Sequence, residues 1–347
     1  MRILIVGGTG LISSELSSCA VTDGHEVTLI NRGQSALPVP AGAHVIHADA
    51  TNAQALRAAL QGPRLRGERF DAVVQFIAFD AVQVHDDIET FRRLTDRYVL
   101  IATSAAYRKH DRLRPLTEDV PLENPYWEYA RKKIACEEVL RAEAPAAGLD
   151  FTIVRPAHTY GPSKIPGFTG VSRHPWTLVD RMRRGADIVL PGDGTSLWTV
   201  THARDVASGI LGLLKAPDAV GEAVHVTSSE AITWEGIHWA IAQAAGLSRE
   251  AFDRQIVCVP SDALIAASPG QEGSIRGDKM HPAVYDTSKL RRLVPDWEPR
   301  TSFADGVAEA IAYFEADPER QSVDAAANAM FDDLAARYRA TLANVGT

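Results

Sequence analysis

Short apolar runs alternate with longer stretches of helical period through the first half of the chain. Runs of this kind, bounded by Gly, Asn or Asp, predict strands covered on both faces, at Ile3–Val6, Glu26–Ile30, His44–His47, Ala72–Phe76, Tyr98–Ala102 and Phe151–Val154. Between them, Leu11–Val21, Ala53–Leu60 and Val84–Leu94 carry the three-to-four-residue apolar period of helices, and Tyr126–Leu140, after Pro125, predicts another. Regular alternation of strand and helix specifies an α/β fold, a Rossmann-type doubly wound parallel sheet.

After Arg155-Pro156 the pattern loosens. Residues 156–175 are rich in Pro and Gly and predict a long functional loop, and 260–282, containing Ser268-Pro269-Gly270, predicts a second irregular region. Ser302–Phe314 and Val323–Ala340 predict amphipathic helices. The expected organisation is a sheet domain over 1–160, which also receives later strands and helices near 188–226. A smaller C-terminal substrate lobe over 161–347 carries the terminal helices.

Composition narrows the class. Apolar residues are 46% and charged residues 23% of the 347, the balance of an ordinary folded protein. The 36 Lys and Arg against 44 Asp and Glu leave a net charge of -8, which repels polyphosphate, so no nucleic-acid partner is expected. Cys19, Cys136 and Cys258 are odd in number and far apart, which speaks against a disulfide scaffold or a metal site. The opening Arg2-Ile3-Leu4-Ile5-Val6 is too short for a secretory signal, and no run approaches a membrane span; a cytoplasmic protein with no membrane partner is expected.

The first strand runs into Gly7-Gly8-Thr9-Gly10-Leu11-Ile12-Ser13 and then a helix. Glycines there allow a pyrophosphate to approach the backbone, and the helix N-terminal N–H groups bind its charge, so a dinucleotide is the expected ligand. Ser13 stands where a third glycine is usual. At the end of the second strand, Asn31-Arg32 replaces the acidic residue that would accept bonds from a ribose diol, which favours NADP over NAD; Arg32 is also suited to stacking on adenine or to solvent. Asp49 is placed either to bind the adenine amine or to cap the helix from Thr51.

Tyr129 and Lys133 are four residues apart on one helix, hence on one face. A phenol of pKa about 10 is a poor base near neutrality, but an adjacent ammonium and an oxidised nicotinamide both favour its phenolate. Thr103-Ser104-Ala105-Ala106-Tyr107 at the end of the fifth strand supplies hydroxyls for a reacting oxygen.

These motifs, with Arg155-Pro156-Ala157-His158-Thr159-Tyr160-Gly161-Pro162 and Pro191-Gly192-Asp193-Gly194 through His202 to Asp205, resemble the extended short-chain dehydrogenases/reductases of the NAD-dependent epimerase/dehydratase family over nearly the whole length. The resemblance implies that Tyr129 is the acid/base, that Lys133 holds the nicotinamide ribose and lowers the tyrosine's pKa, and that Thr103, with Ser104 as the fallback, polarises the substrate oxygen. It implies a dinucleotide held by Gly7, Thr9, Gly10, Leu11, Ile12, Asn31, Arg32, Asp49, Ala50, Phe76, Ala78, Lys133, Pro156 and His158, and a homodimer joined through Val84–Leu94 and Tyr126–Leu140. For the substrate, a sugar, nucleotide sugar or related polyol, it points to Tyr107, His158, Lys164, Arg173 and Trp198.

Two departures stand out. Ser104 and Ala105 occupy the positions where family 4,6-dehydratases carry Asp-Glu, which speaks against dehydration, and His158 stands where nucleotide-sugar epimerases often have Asn. His202 and Asp205 are expected to cap a helix; Arg204, Arg173, Lys164, Arg276 and Lys279 either face the cleft, suiting an anionic substrate, or are solvated. Trp176 and Trp198 serve either packing or ring stacking. The expected activity is hydride transfer at a carbinol or carbonyl carbon, as an epimerase or a net oxidoreductase. The competing class is a dinucleotide-sensing or RNA-binding protein on the same fold, since chloroplast stem-loop RNA-binding proteins share the Gly-rich opening.

Overall fold

The computed structural model describes all residues except 36, 63–68, 110–114, 169–172, 346 and 347. Strand β1 (Arg2–Val6) leads into helix α1 (Leu11–Thr22), followed by β2 (Glu26–Asn31), β3 (His44–His47), α2 (Ala53–Leu60), β4 (Ala72–Gln75), α3 (Ala81–Phe91), β5 (Arg97–Ile101), α4 (Glu128–Glu143) and β6 (Asp150–Val154). These strands are parallel, and β3-β2-β1-β4-β5-β6 lie side by side in that order. Chain order reverses between β1 and β4, which opens a crevice at the carboxyl ends of the strands.

Alternation along β1 explains the two covered faces. Ile3 and Ile5 join Leu16 of α1 in one core, whereas Leu4 and Val6 join Leu56, Val84 and Leu140 of α2, α3 and α4 in another. Helix α3 starts before the predicted Val84 because Asp80 and Gln83 form a capping box, and it ends at Phe91.

Beyond β6 come β7 (His158–Tyr160), α5 (Trp176–Arg183), β8 (Ile188–Pro191), β9 (Leu197–His202), α6 (Ala203–Lys215) and β10 (Ala223–Val224). The chain returns to the sheet here: α6 packs on α1, and β10 pairs with β6 as the seventh parallel strand. Strand β8, within the stretch expected near the sheet, instead pairs with β12 (Ile256–Val259). Between them lie β11 (Ala231–Thr233), antiparallel to β9, α7 (Trp234–Ala244) and α8 (Arg249–Gln255). The region 260–282, expected to be irregular, is largely helical, with α9 (Ser261–Ala267) and short turns over 269–279 that end in a π-helical turn at Ile275–Lys279. Trp176, Trp198, Trp234, Phe252 and Phe303 form a separate aromatic core, joined by Leu334 of the terminal helix Ala325–Val345. Among the described residues no helix is long and apolar enough to cross a membrane, and no group of His, Cys, Asp or Glu is placed to hold a metal.

Candidate active site

A cleft of about 750 Å³ runs from the glycine turn, over the ends of β4 and β5, to the aromatic core. Gly7 has φ of 86°, and a Cβ there would lie 2.5 Å from Ile77 Cγ2, so both turn and packing require glycine. The Ser13 hydroxyl donates to the Gly7 carbonyl (2.8 Å) and accepts from the Gly10 N–H (2.8 Å), tying the turn across the position where a third glycine is usual. Gly10, Leu11, Ile12 and Ser13 line the cleft, where the first turn of α1 has N–H groups without helical acceptors.

Asn31 is buried at the end of β2. Its side-chain oxygen accepts from the Gly33 N–H (2.8 Å), and its buried Nδ2 has no partner among the described residues. Arg32 beside it is exposed. The Asp49 carboxylate is also exposed and accepts from the backbone and hydroxyl of Thr51, which lowers its pKa; the cap of α2 is Asn52, not Asp49. The glycine turn and these groups fit a dinucleotide, through a cradle that a Cβ would fill and an amide left open beside a guanidinium. Phe76 and Pro156 line the cleft, and Thr9 is half-buried on the turn. Ala50 and Ala78 are buried side chains outside the lining.

Tyr129 and Thr103 share the cleft, Tyr129 from the first turn of α4 and Thr103 from the end of β5. Helix α4 has no side-chain cap of its own; Asn124 Oδ1 accepts from the N–H groups of Tyr126 (3.3 Å) and Trp127 (3.0 Å) instead. Burial raises the Tyr129 pKa, the Thr103 hydroxyl pulls it down, and the Asp278 carboxylate raises it further. Lys133 lies below, outside the cleft lining, and its ammonium donates to the carbonyls of Ala78 (2.7 Å) and Ile101 (2.8 Å). Burial lowers its pKa to about 8. The Ser104 hydroxyl is buried and accepts from Tyr285 (2.9 Å), so Thr103 is the more open of the two hydroxyls.

Tyr107, expected at the substrate, is 1% exposed and structural: its hydroxyl accepts from Arg155 (2.9 Å), which pairs with Glu137 of α4. Arg173, expected at the substrate, is exposed to solvent and absent from the lining. Arg276 pairs with Asp262 and Glu272, and Arg204 with Glu15 and Glu309. Of the five basic residues considered, Lys164 and Lys279 line the cleft. Desolvation lowers both pKa values, that of Lys279 to about 8 with help from Lys164. His158 lines the same end, its Nε2 buried without a partner among the described residues, and burial followed by the three nearby lysines pushes its pKa well down. Trp198 both packs and lines the cleft, while Trp176 only packs, stacked on Phe314. His202 caps α6 through Nδ1, whereas Asp205 accepts from the N–H groups of Arg300 and Thr301.

Sequence reasoning missed Asp278, which lines the cleft, and its buried ion-pair partner Lys109 outside the lining; they lie 169 positions apart, and no local motif marks either.

The chain is similar to the chloroplast stem-loop binding protein of 41 kDa b of Arabidopsis thaliana, 28% identical over 256 residues; the match covers 71% of this chain and 63% of that protein's length. It is 25% identical over 303 residues to the 2'-dehydrokanamycin reductase of Streptomyces kanamyceticus, covering 86% of this chain and 81% of that one. Its fold matches the UDP-glucose 4-epimerase of Thermus thermophilus, solved in complex with NAD, with a TM-score of 0.71 at 20% identity, over 91% of this chain and 99% of that one. The model of the NAD dependent epimerase/dehydratase family matches residues 3–227. With the parallel sheet, the glycine turn and the Tyr129 cleft in one chain, this match over more than half its length means that the protein belongs to the NAD-dependent epimerase/dehydratase family.

Proposed function

We propose that the protein is an NAD(P)-dependent epimerase or oxidoreductase acting at a carbinol or carbonyl carbon of a sugar, nucleotide sugar or related polyol, with Tyr129 as acid/base. The carrying observation is that one cleft brings the glycine turn, Thr103 and Tyr129 together, with Lys133 one helical turn below the phenol. In this reading Gly7, Gly10, Leu11 and Ile12 hold the pyrophosphate, and Asn31 and Arg32 take the 2′-phosphate of NADP. Thr9, Asp49, Ala50, Phe76, Ala78, Pro156 and His158 border the remainder. Bound there, the dinucleotide supplies or accepts a hydride at its nicotinamide. Thr103 orients the reacting oxygen, and Tyr129 gives or takes its proton. Lys133 spends two of its three N–H donors on backbone carbonyls, leaving one for the nicotinamide ribose. Lys164 and Lys279, beside His158, favour an anionic substrate such as a nucleotide sugar. A homodimer would pair α3 and α4, neighbours on one face of the sheet.

Titrating both cofactors tests the dinucleotide preference. NADP should bind more tightly, and Arg32→Ala should weaken NADP selectively by roughly 1.5 to 3 kcal/mol, the worth of a hydrogen bond to a charged group. Tenfold tighter NAD binding overturns the preference. Tyr129→Phe should abolish turnover across a panel of nucleotide hexoses and polyols while leaving dinucleotide affinity intact. Similarity to a stem-loop binding protein supports the second reading, a binding protein on the same fold. Salt-sensitive retention of RNA by the purified protein, undiminished in Tyr129→Phe, would favour it.

A further inference from the structure

Two tryptophans, Trp127 and Trp198, line the cleft, and they differ in how much ring they can offer to it. Trp198 is 1% exposed, its indole flanked by Trp234 at 5.1 Å, by the Lys109 ammonium at 5.0 Å and by the edge-on His158 ring at 5.9 Å. Its ring belongs to the aromatic core. Trp127 is half-buried, and its one ring neighbour among the described residues is Tyr129, 5.0 Å away at 48°. A large flat apolar surface therefore faces the cleft beside the acid/base phenol, in the same lining as Thr103. A single exposed apolar residue is ordinary; one fixed from several sides at a reacting group is not.

Trp127 is held in this way. It stands one position before α4 with extended backbone (φ -113°, ψ 111°), and its N–H donates to Asn124 Oδ1 (3.0 Å). Asn124 Nδ2 donates in turn to the carbonyls of Ala105 (2.9 Å) and Gly277 (2.7 Å). One buried amide thus ties the Trp127 backbone to the segment after β5 and to the helical turns of 269–279. On the side of those turns Gly273 abuts the indole: a Cβ there would lie 2.8 Å from Trp127 Cδ1 and 3.2 Å from its Cα. Support at one edge and at the backbone limits what the ring can do on binding, and a pre-organised wall costs a ligand little ordering.

We propose that Trp127 is a specificity-determining residue: its indole is the wall on which the ring of a cyclic substrate, a pyranose, lies with its reacting carbon at Thr103 and Tyr129, so that the site selects a closed sugar over an open-chain polyol. This rests on the cleft being the substrate site of the proposed function. A flat indole gains its dispersion contact from a rigid ring that presents a row of C–H groups, as a pyranose does. An open chain must first freeze its C–C rotations, and it turns hydroxyls towards the same face. Lys164 and Lys279, in the same lining, take an anionic group carried by that ring.

Isothermal titration calorimetry with two matched probes, in the presence of NADP, tests the assignment. Glucose 6-phosphate is chiefly a pyranose; glucitol 6-phosphate has the same carbon chain and phosphate but no carbonyl with which to close. Wild type should bind the ring form about threefold to tenfold more tightly, the range an aromatic contact spans. Trp127→Ala should lose that preference by weakening glucose 6-phosphate alone, and Trp127→Phe, which keeps a flat ring, should retain most of it. Should Trp127→Ala fail to fold by circular dichroism, Trp127→Leu, apolar but without a flat face, takes its place. A role in structure alone would weaken both probes together. Equal affinities in wild type, parallel losses in the variant, or binding of neither probe overturns the proposal. Failure of the acid/base reading would appear separately, as turnover by Tyr129→Phe, whose preference for the closed probe should persist.

Discussion

Lys133 shows how one residue serves two roles. Four positions after Tyr129, its ammonium reaches past the phenol to the carbonyls of Ala78 and Ile101, at the ends of neighbouring parallel strands. It thereby satisfies backbone acceptors at the strand ends as well as standing below the site. Under the proposed function, Lys133→Met should accordingly weaken dinucleotide binding and lower turnover, because two carbonyls lose their donor and the ribose would lose the one proposed for it. Adding Tyr129→Phe to Lys133→Met should reduce kcat little further than Tyr129→Phe alone, since groups acting as a unit give non-additive losses; steady-state kinetics on the double variant checks this. Multiplying losses would mean that the two act independently.

At the scale of elements, two buried polar clusters decide how the helices sit on the sheet. Arg155, just after β6, donates to Glu137 of α4 at 2.9 and 2.5 Å and to Tyr107 at 2.9 Å, so it pins α4 beside β5 and β6. Arg155→Met leaves Glu137 buried and unpaired and should destabilise the protein by about 3 to 5 kcal/mol in urea unfolding, with part of that recovered on adding Glu137→Leu. Asp87 of α3 accepts from Gln75 and Tyr98, both at 2.7 Å, yet burial outweighs those bonds and raises its pKa to about 7. A carboxyl whose folded pKa is raised contributes stability that is fully present below its unfolded pKa near 4 and lost as pH rises through about 7. Asp87→Asn should remove that loss, so its melting temperature should exceed that of wild type at pH 8 by roughly 2 to 4 °C per kcal/mol regained, and the gap should narrow or reverse at pH 5. Calorimetry at the two pH values measures it.

Across the whole molecule, the cleft is where the sheet's carboxyl edge meets the aromatic core, and its wall bears on the type of reaction. The Ser104 hydroxyl is bonded by Tyr285 and Ala105 has only a methyl side chain, so the two positions that carry Asp-Glu in dehydratases offer no carboxyl group to the cleft. Nucleotide hexoses should therefore yield no 4-keto-6-deoxy product; its appearance by mass spectrometry, and its loss in Tyr129→Phe, would overturn that argument. Much of this was legible in the residues. Parallel strands covered on both faces need apolar residues at consecutive positions, so β1 to β6 stand out, and a pyrophosphate turn needs local glycines at local spacing, so Gly7 to Ser13 does too. Tyr129 and Lys133 share a helix face by periodicity alone. Side chains whose neighbours are distant in the chain were not legible. Tyr107 looks like a cleft residue until Arg155 and Glu137 take its hydroxyl into the core, and Arg276 looks like an anion ligand until Asp262 and Glu272 claim it. Asp278 and Lys109 carry no local signal because their pairing exists only once the helical turns of 269–279 fold over the strand ends. Local backbone geometry and periodicity, which neighbouring residues specify, determined the sheet, the glycine turn and the Tyr129/Lys133 face. The charge around the phenol, set by residues far apart in sequence that desolvate one another, was decided by the tertiary structure.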